Sequence, residues 1–204
     1  MNENDMFNIV KKNLNLIHIS IGAEDLLYQW KPPGSNKSYL LELKMIKESI
    51  GEVSENVFFN VDKITYKFAY IRKKNIVYTI VANDVLHFQL LEALMEKIIE
   101  KFNEMYDLEI ILSYGNVTAN AFKSFNNKIE EMLNDPKPLE LGKVINARCR
   151  VCNKVLPVFI KKSMIEEADS YPVPIVYTHK GHAILCYIDK NFEVRGVELV
   201  NTTG

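Results

Sequence analysis

Two alternating runs bracket a connection too short for any parallel arrangement. Ile64, Tyr66, Phe68 and Tyr70 alternate with Thr65, Lys67 and Ala69, and Ile76, Tyr78 and Ile80 alternate with Val77, Thr79 and Val81. Only Arg72-Lys73-Lys74-Asn75 separates them. A parallel pair needs a crossover of roughly a dozen residues, so the two runs form an antiparallel hairpin. Alternation at period two marks each run as a strand.

A second hairpin is expected earlier. Ile17, Ile19 and Ile21 alternate with His18 and Ser20, Gly22-Ala23-Glu24-Asp25 reads as a turn, and residues 26–30 return as the partner strand. Lys31-Pro32-Pro33-Gly34-Ser35-Asn36 breaks regular structure. Ser38 then caps a helix carrying Leu40, Leu43, Ile46 or Lys47 and Ile50, with Gly51 at its C-terminal stop. Residues 57–60 make a short apolar strand. Asn83 or Asp84 caps a long helix with the stripe Leu91, Leu94 or Met95, Ile98, Phe102 and Met105. Asn116 or Thr118 opens a further helix to about Leu133, with Phe122, Phe125, Ile129 and Met132 or Leu133 on its apolar face. The expected fold class is α+β, a five-stranded antiparallel sheet packed by helices.

In this order the segments Leu16-Ile17-His18-Ile19-Ser20, Lys67-Phe68-Ala69-Tyr70-Ile71-Arg72, Ile76-Val77-Tyr78-Thr79-Ile80-Val81-Ala82 and the helix 91–102 resemble the longin domain, a profilin-like module. The resemblance covers about residues 12–134 and lies in element order and hydrophobic texture. One segment departs from it: Leu108-Glu109-Ile110-Ile111-Leu112 reads as a strand, an extended connector or an added edge, where the family has a link between helices. The resemblance implies a non-enzymatic platform for small-GTPase regulation or membrane-trafficking complexes. The partner it implies is a small GTPase or another longin or roadblock domain, and a homodimer is one form of that pairing.

Asn134-Asp135-Pro136-Lys137-Pro138 is the clearest seam, because two prolines one residue apart end a helix and favour an extended connector. The expected division is a domain over 1–134, a linker over 135–146 and a small C-terminal α+β domain over 147–204. In the latter, 154–160 reads as a strand kept to an edge by Pro157, 163–168 as a short helix, and 175–178, 183–188 and 193–200 as strands. Cys149, Cys152 and Cys186 all fall in this tail. An odd, clustered count is a poor disulfide framework and fits a reducing interior, so the expected location is cytoplasmic. The polar start Met1-Asn2-Glu3-Asn4-Asp5 does not read as a targeting peptide. The net charge of -1 and pI near 6.4 give no general pull toward nucleic acid, and membrane contact is at most peripheral.

Chemistry concentrates in the tail. Cys149-Arg150-Val151-Cys152 offers two thiols at the spacing of a zinc knuckle, and His179-Lys180-Gly181-His182 offers two imidazoles equally close. Together they make a candidate structural Cys₂His₂ zinc set for a unit of fewer than about 60 residues, a size at which a staple helps. The opposing reading leaves these as unliganded thiols and surface histidines. The 26 residues between the pairs exceed a compact finger, and a hairpin loop at 179–182 need not aim both rings at one centre. A small metal-binding or thiol-redox protein centred on Cys149, Cys152, His179 and His182 is the alternative function, with Asp189 the nearest acid for hydrolysis but better read as a turn residue. Cys186 reads as a buried small hydrophobe, and Gly196 beside Arg195 as a bulge. His18 and His87 have no acid-base partner nearby in sequence, and Arg72-Lys73-Lys74 reads as a solvated hairpin tip. None of the familiar nucleotide, hydrolase or metalloprotease motifs is present, and no catalytic residue is assigned.

Overall fold

The computed structural model describes residues 9–22, 25–39, 43–45, 48, 54–114, 119–134, 141–179 and 181–200. Its chain divides into two compact units, Asn2–Leu139 and Glu140–Gly204. The first holds a five-stranded antiparallel sheet. Its strands are β1 (Leu14–Ile21), β2 (Asp25–Trp30), β3 (Phe58–Asp62), β4 (Tyr66–Lys73) and β5 (Ile76–Asn83), in the order β2-β1-β5-β4-β3. β4 and β5 are joined by Lys74 and Asn75 alone. Lys74 takes a φ of 54°, the left-handed value such a tight turn demands.

Register assigns each side chain to one face. Leu16 lies opposite Val81 and Tyr70 opposite Phe59, so these share a face with Phe68 and Val77. Tyr39 and Leu43 pack onto this surface, and Tyr39 meets Phe68 edge-on with ring centres 6.1 Å apart. The other face carries Ile17, Ile19, Ile80 and Tyr78, and takes helix α1 (Phe88–Met105) against β4 and β5. Phe102 is the hub there. It contacts Tyr78 at 6.2 Å, Phe122 at 5.5 Å and Phe125 at 5.1 Å between ring centres. Phe122 belongs to a 3-10 turn (Ala119–Phe122) and Phe125 opens helix α3 (Phe125–Asn134). Trp30 Nε1 donates to Glu130 at 2.7 Å and the Tyr28 hydroxyl to Asn126 at 3.3 Å, tying α3 to edge strand β2.

Four elements differ from the sequence reading, one being the helix expected as far as Leu133, which is broken into the 3-10 turn Ala119–Phe122 and helix α3. Residues 108–113 are helical, not a strand: helix α2 spans Leu108–Tyr114. Asp107 Oδ1 accepts the N–H of Glu109 at 2.9 Å and of Ile110 at 3.3 Å, and this capping outweighs the β-branched run. The strand alternation begins at Tyr66 rather than Ile64, which sits in the β3–β4 turn at 96% exposure. The long helix starts at Phe88, with His87 as its capping residue, not at Asn83 or Asp84. Asn83 is spent in β5, where its side chain accepts from Asn15 at 2.8 Å and donates to Asn13 at 3.0 Å. The proposed capping residues Asn116 and Thr118 lie outside the described residues, as do Leu40, Ile46, Lys47, Ile50 and Gly51.

In the second unit, β6 (Gly142–Arg148) pairs with β7 (Val155–Lys161), and helix α4 spans Lys162–Glu166. A three-stranded sheet follows, β8 (Val173–His179), β9 (His182–Ile188) and β10 (Val194–Val200), in the order β10-β9-β8. β6 therefore occupies residues 142–146, which the sequence reading gives to a linker. Gly142 is what admits the close pairing there, since a Cβ would stand 2.0 Å from the Ile160 carbonyl oxygen. Ala147, Val158, Ile160, Ile165, Ile184 and Ile188 form the core of this unit. The β9–β10 register shifts between Val194 and Gly196, placing a bulge at Arg195. No helix among the described residues is long and apolar enough to cross a membrane.

His87 makes the first unit sensitive to acid. Burial, aided by Lys67, pushes its imidazole down to about 4 from 6.5, so the folded state keeps it neutral. A depressed basic group contributes stability that is whole above pH 6.5 and lost as pH falls through about 4. The expected loss over that window is on the order of 3 kcal/mol. Urea titrations of the wild type and His87→Asn between pH 4 and 7 measure it: the variant's stability falls less steeply.

Candidate metal centre

Two hairpin tips build this site. β6 runs into Cys149, whose backbone N–H donates to the Lys154 carbonyl at 2.9 Å and closes a turn over residues 150–153. Asn153 stands just after the second cysteine at φ 56°, reversing the chain so that β7 can return. Asparagine tolerates this left-handed backbone better than most residues. Cys149 is fully buried in the unit's core, and Cys152 is half-buried at its rim.

The second tip joins β8 to β9. His179 and His182 are the last paired residues of this ladder, and Gly181 between them takes a φ of 76°. His182 shares its face with Ile184, Cys186 and Ile188, since alternate residues of a strand point the same way. That face meets the core, so the imidazole of half-buried His182 reaches the first tip: its Nδ1 is 3.6 Å from Cys149 Sγ.

Cys149, Cys152 and His182 thus bring their donor atoms within 4.8 Å of one another, a group able to hold a metal ion. Of the four residues singled out from sequence, the structure gathers these three. The backbone register places the fourth, His179, opposite His182, and its side chain falls outside the described part. The donor set can be tested against metal geometry. Zinc–sulfur and zinc–nitrogen bonds of about 2.3 and 2.0 Å set a tetrahedral S-to-N spacing of roughly 3.5 Å. The 3.6 Å between Cys149 Sγ and His182 Nδ1 fits it.

The turn also prepares its thiolate. The backbone N–H of Cys152 above all, then that of Val151, the Cys152 side chain and His182, hold the Cys149 thiol down to about 7 from its ordinary 9, against the opposing effect of burial. Cys186 behaves oppositely: enclosed in apolar side chains of β9, its thiol is pushed up by burial, and it stays outside the donor group.

No carboxylate joins the three donors among the described residues. Asp189, the acid considered from sequence, is engaged elsewhere. It accepts the N–H of Asn191 at 2.8 Å and of Glu193 at 2.9 Å, and Arg195 Nε donates to it at 2.7 Å, which fixes the β9–β10 turn. His18 is buried on β1 and His87 caps α1, and neither belongs to a metal-ligating group among the described residues. The residue that sequence inspection passed over is Asn153, although an asparagine directly after a C-x₂-C pair is a readable signal for left-handed backbone. Searches against protein-family models and curated proteins find no match for this chain.

Ultraviolet titration at the thiolate band separates Cys149 from Cys186. In metal-free protein, one thiolate appears with a midpoint near pH 7 and is lost in Cys149→Ser, whereas Cys186 titrates above its ordinary value. A depressed acid gives stability that is present above pH 9 and lost as pH falls through about 7, so the metal-free second unit gains stability as pH rises between these values.

Proposed function

We propose that the chain is a non-enzymatic protein-interaction platform, a longin-type domain followed by a small zinc-stapled module. The observation that carries the first part is the strand order β2-β1-β5-β4-β3, in which an N-terminal hairpin and a three-stranded meander meet at the β1–β5 pair, with α1 and α3 on one face. Residues 108–114 form helix α2 where the family has only a link between helices, so this segment still departs from the family pattern. Among the described residues no further strand pairs with the outer edges of β2 and β3, and sheet edges can serve partner docking by strand addition. The partner the reading implies is a small GTPase or a second longin or roadblock domain, in a cytoplasmic setting.

Zinc is the metal best matched to the second unit. Two thiolates and an imidazole suit it, the Cys149–His182 pair standing at tetrahedral spacing, and tight C-x₂-C turns are its usual thiolate source. Cys149, Cys152 and His182 hold it, and His179 is the residue in register to close a structural four-ligand set. Zinc chemistry here is stabilisation: it joins the β6–β7 and β8–β9 tips and contributes on the order of 10 kcal/mol of folding free energy in modules of this kind. The absence of a carboxylate beside the donors, among the described residues, favours this role over metal-assisted hydrolysis.

One native mass spectrum of chain purified without chelator tests both parts. The expected species carries one zinc per chain, and associates with itself or with an added small GTPase or longin partner. Zinc is expected to be lost in Cys149→Ser and reduced in His179→Ala. A strict monomer that binds no such partner contradicts the platform reading, and a metal-free chain contradicts the zinc reading.

A further inference from the structure

The turn that carries the two cysteines also carries an unusual concentration of free positive charge. Between residues 141 and 165 the chain has six Lys and Arg and no Asp or Glu. Three of the six are accounted for. Lys162 pairs with Glu166 at 3.5 Å, Lys143 lies over the Phe192 ring at 4.9 Å, and Lys161 is buried. Arg148, Arg150 and Lys154 are all exposed, and none has a carboxylate partner among the described residues. The contrast with the remaining arginines is direct. Of four in the chain, Arg72 faces Glu55 and Arg195 is held by Asp189 and Glu193, while Arg148 and Arg150 face solvent within three residues of each other.

Apolar surface accompanies this charge. Val151 at the tip is 51% exposed and Val155 is 56% exposed. Val155 is the cross-strand partner of Arg148, so the two share the outward face of the ribbon, while the next pair, Ala147 and Leu156, turns into the core. Two guanidinium groups, one ammonium and two valines are therefore mounted on a turn whose base is anchored by Cys149.

We propose that this knuckle is a docking surface for an acidic protein segment that alternates carboxylates with aliphatic side chains. The arginines supply planar forks that match carboxylates two bonds at a time, and the valines supply the apolar contact. Charge complementarity of this kind directs encounter and partner choice. A single-stranded nucleic acid fits less well. No aromatic residue for base stacking occurs between 146 and 157, and the chain as a whole is slightly acidic. The proposal rests on the reading of this turn as metal-held, which keeps the five side chains in place.

The test uses the full chain, its zinc content read by native mass spectrometry, and fluorescence anisotropy with a short labelled peptide of alternating glutamate and leucine at low salt. A labelled thymidine oligonucleotide and vesicles containing phosphatidylserine serve as competing probes. The expected result is peptide binding that weakens with added salt and falls at least about tenfold in the combined variant Arg148→Gln, Arg150→Gln, Lys154→Gln, with zinc content and circular dichroism unchanged. Val151→Ser is expected to weaken binding without altering its salt dependence. No peptide binding, equal binding by the triple variant, or preference for the oligonucleotide or the vesicles overturns the proposal. Peptide binding that depends on the three cations in a chain found free of metal upholds the docking surface and rejects the metal reading, so the two failures are distinguishable.

Discussion

The pairing of β1 with β5 is the contact on which the first unit depends. It joins strands about sixty residues apart, from Leu14 opposite Ala82 to Ile21 opposite Ile76. Every other pairing in that sheet is a hairpin or a short return, made by neighbours in the chain. Closing so long a loop costs entropy before any contact rewards it. The reward is burial on both faces at once, with Leu16, Val77 and Val81 on one and Ile17, Ile19, Tyr78 and Ile80 on the other, nearly all of them fully enclosed. A slip of one residue would exchange the two faces, sending Ile17 and Ile19 away from Phe102 and the helices. The asparagines Asn13, Asn15 and Asn83 close the end of this ladder, their amides hydrogen-bonding one another in the observed register.

The second unit faces the same problem with less material. Its two β structures, β6–β7 and β8–β9–β10, share one core, and the Cys149–His182 contact at 3.6 Å joins their tips. A unit this small gains little from area alone, so a contact between tips has leverage on both hairpins. The polar groups there are arranged for that purpose. Backbone N–H groups turn toward Cys149 and favour its thiolate, the form that binds metal. Cys186, two strand positions from Ile184 and in the same core, has no such donors and remains a packing residue.

What sequence made legible follows from how local each signal is. Period-two alternation found β1, β4 and β5, and the four-residue connection fixed their hairpin, because both depend on neighbours in the chain. The buried stripe Leu91, Leu94, Ile98 and Phe102 was equally readable from its spacing. Failures came where two local signals compete. Ile110 and Ile111 favour a strand, yet the carboxylate of Asp107 caps the segment as a helix. Ile64 continues an alternation that the β3–β4 turn interrupts, and Asn83, a good cap by type, is recruited by β5. Cys149, Cys152 and His182 were nameable from residue type and spacing, but their convergence was not. It depends on the β8–β9 register, which puts His182 on the inward face, and on Asn153 turning β7 back beneath the thiols.

We propose that metal at the two tips holds the second unit together, whereas the first unit stands on its own sheet. Amide hydrogen exchange with and without a zinc chelator measures this most directly, because it reads each strand separately. Chelation is expected to raise exchange throughout 142–161 and 173–188 and to leave 66–83 protected as before. Protection of both hairpins unchanged by chelator would contradict it, and would leave Cys149, Cys152 and His182 as ordinary members of the core.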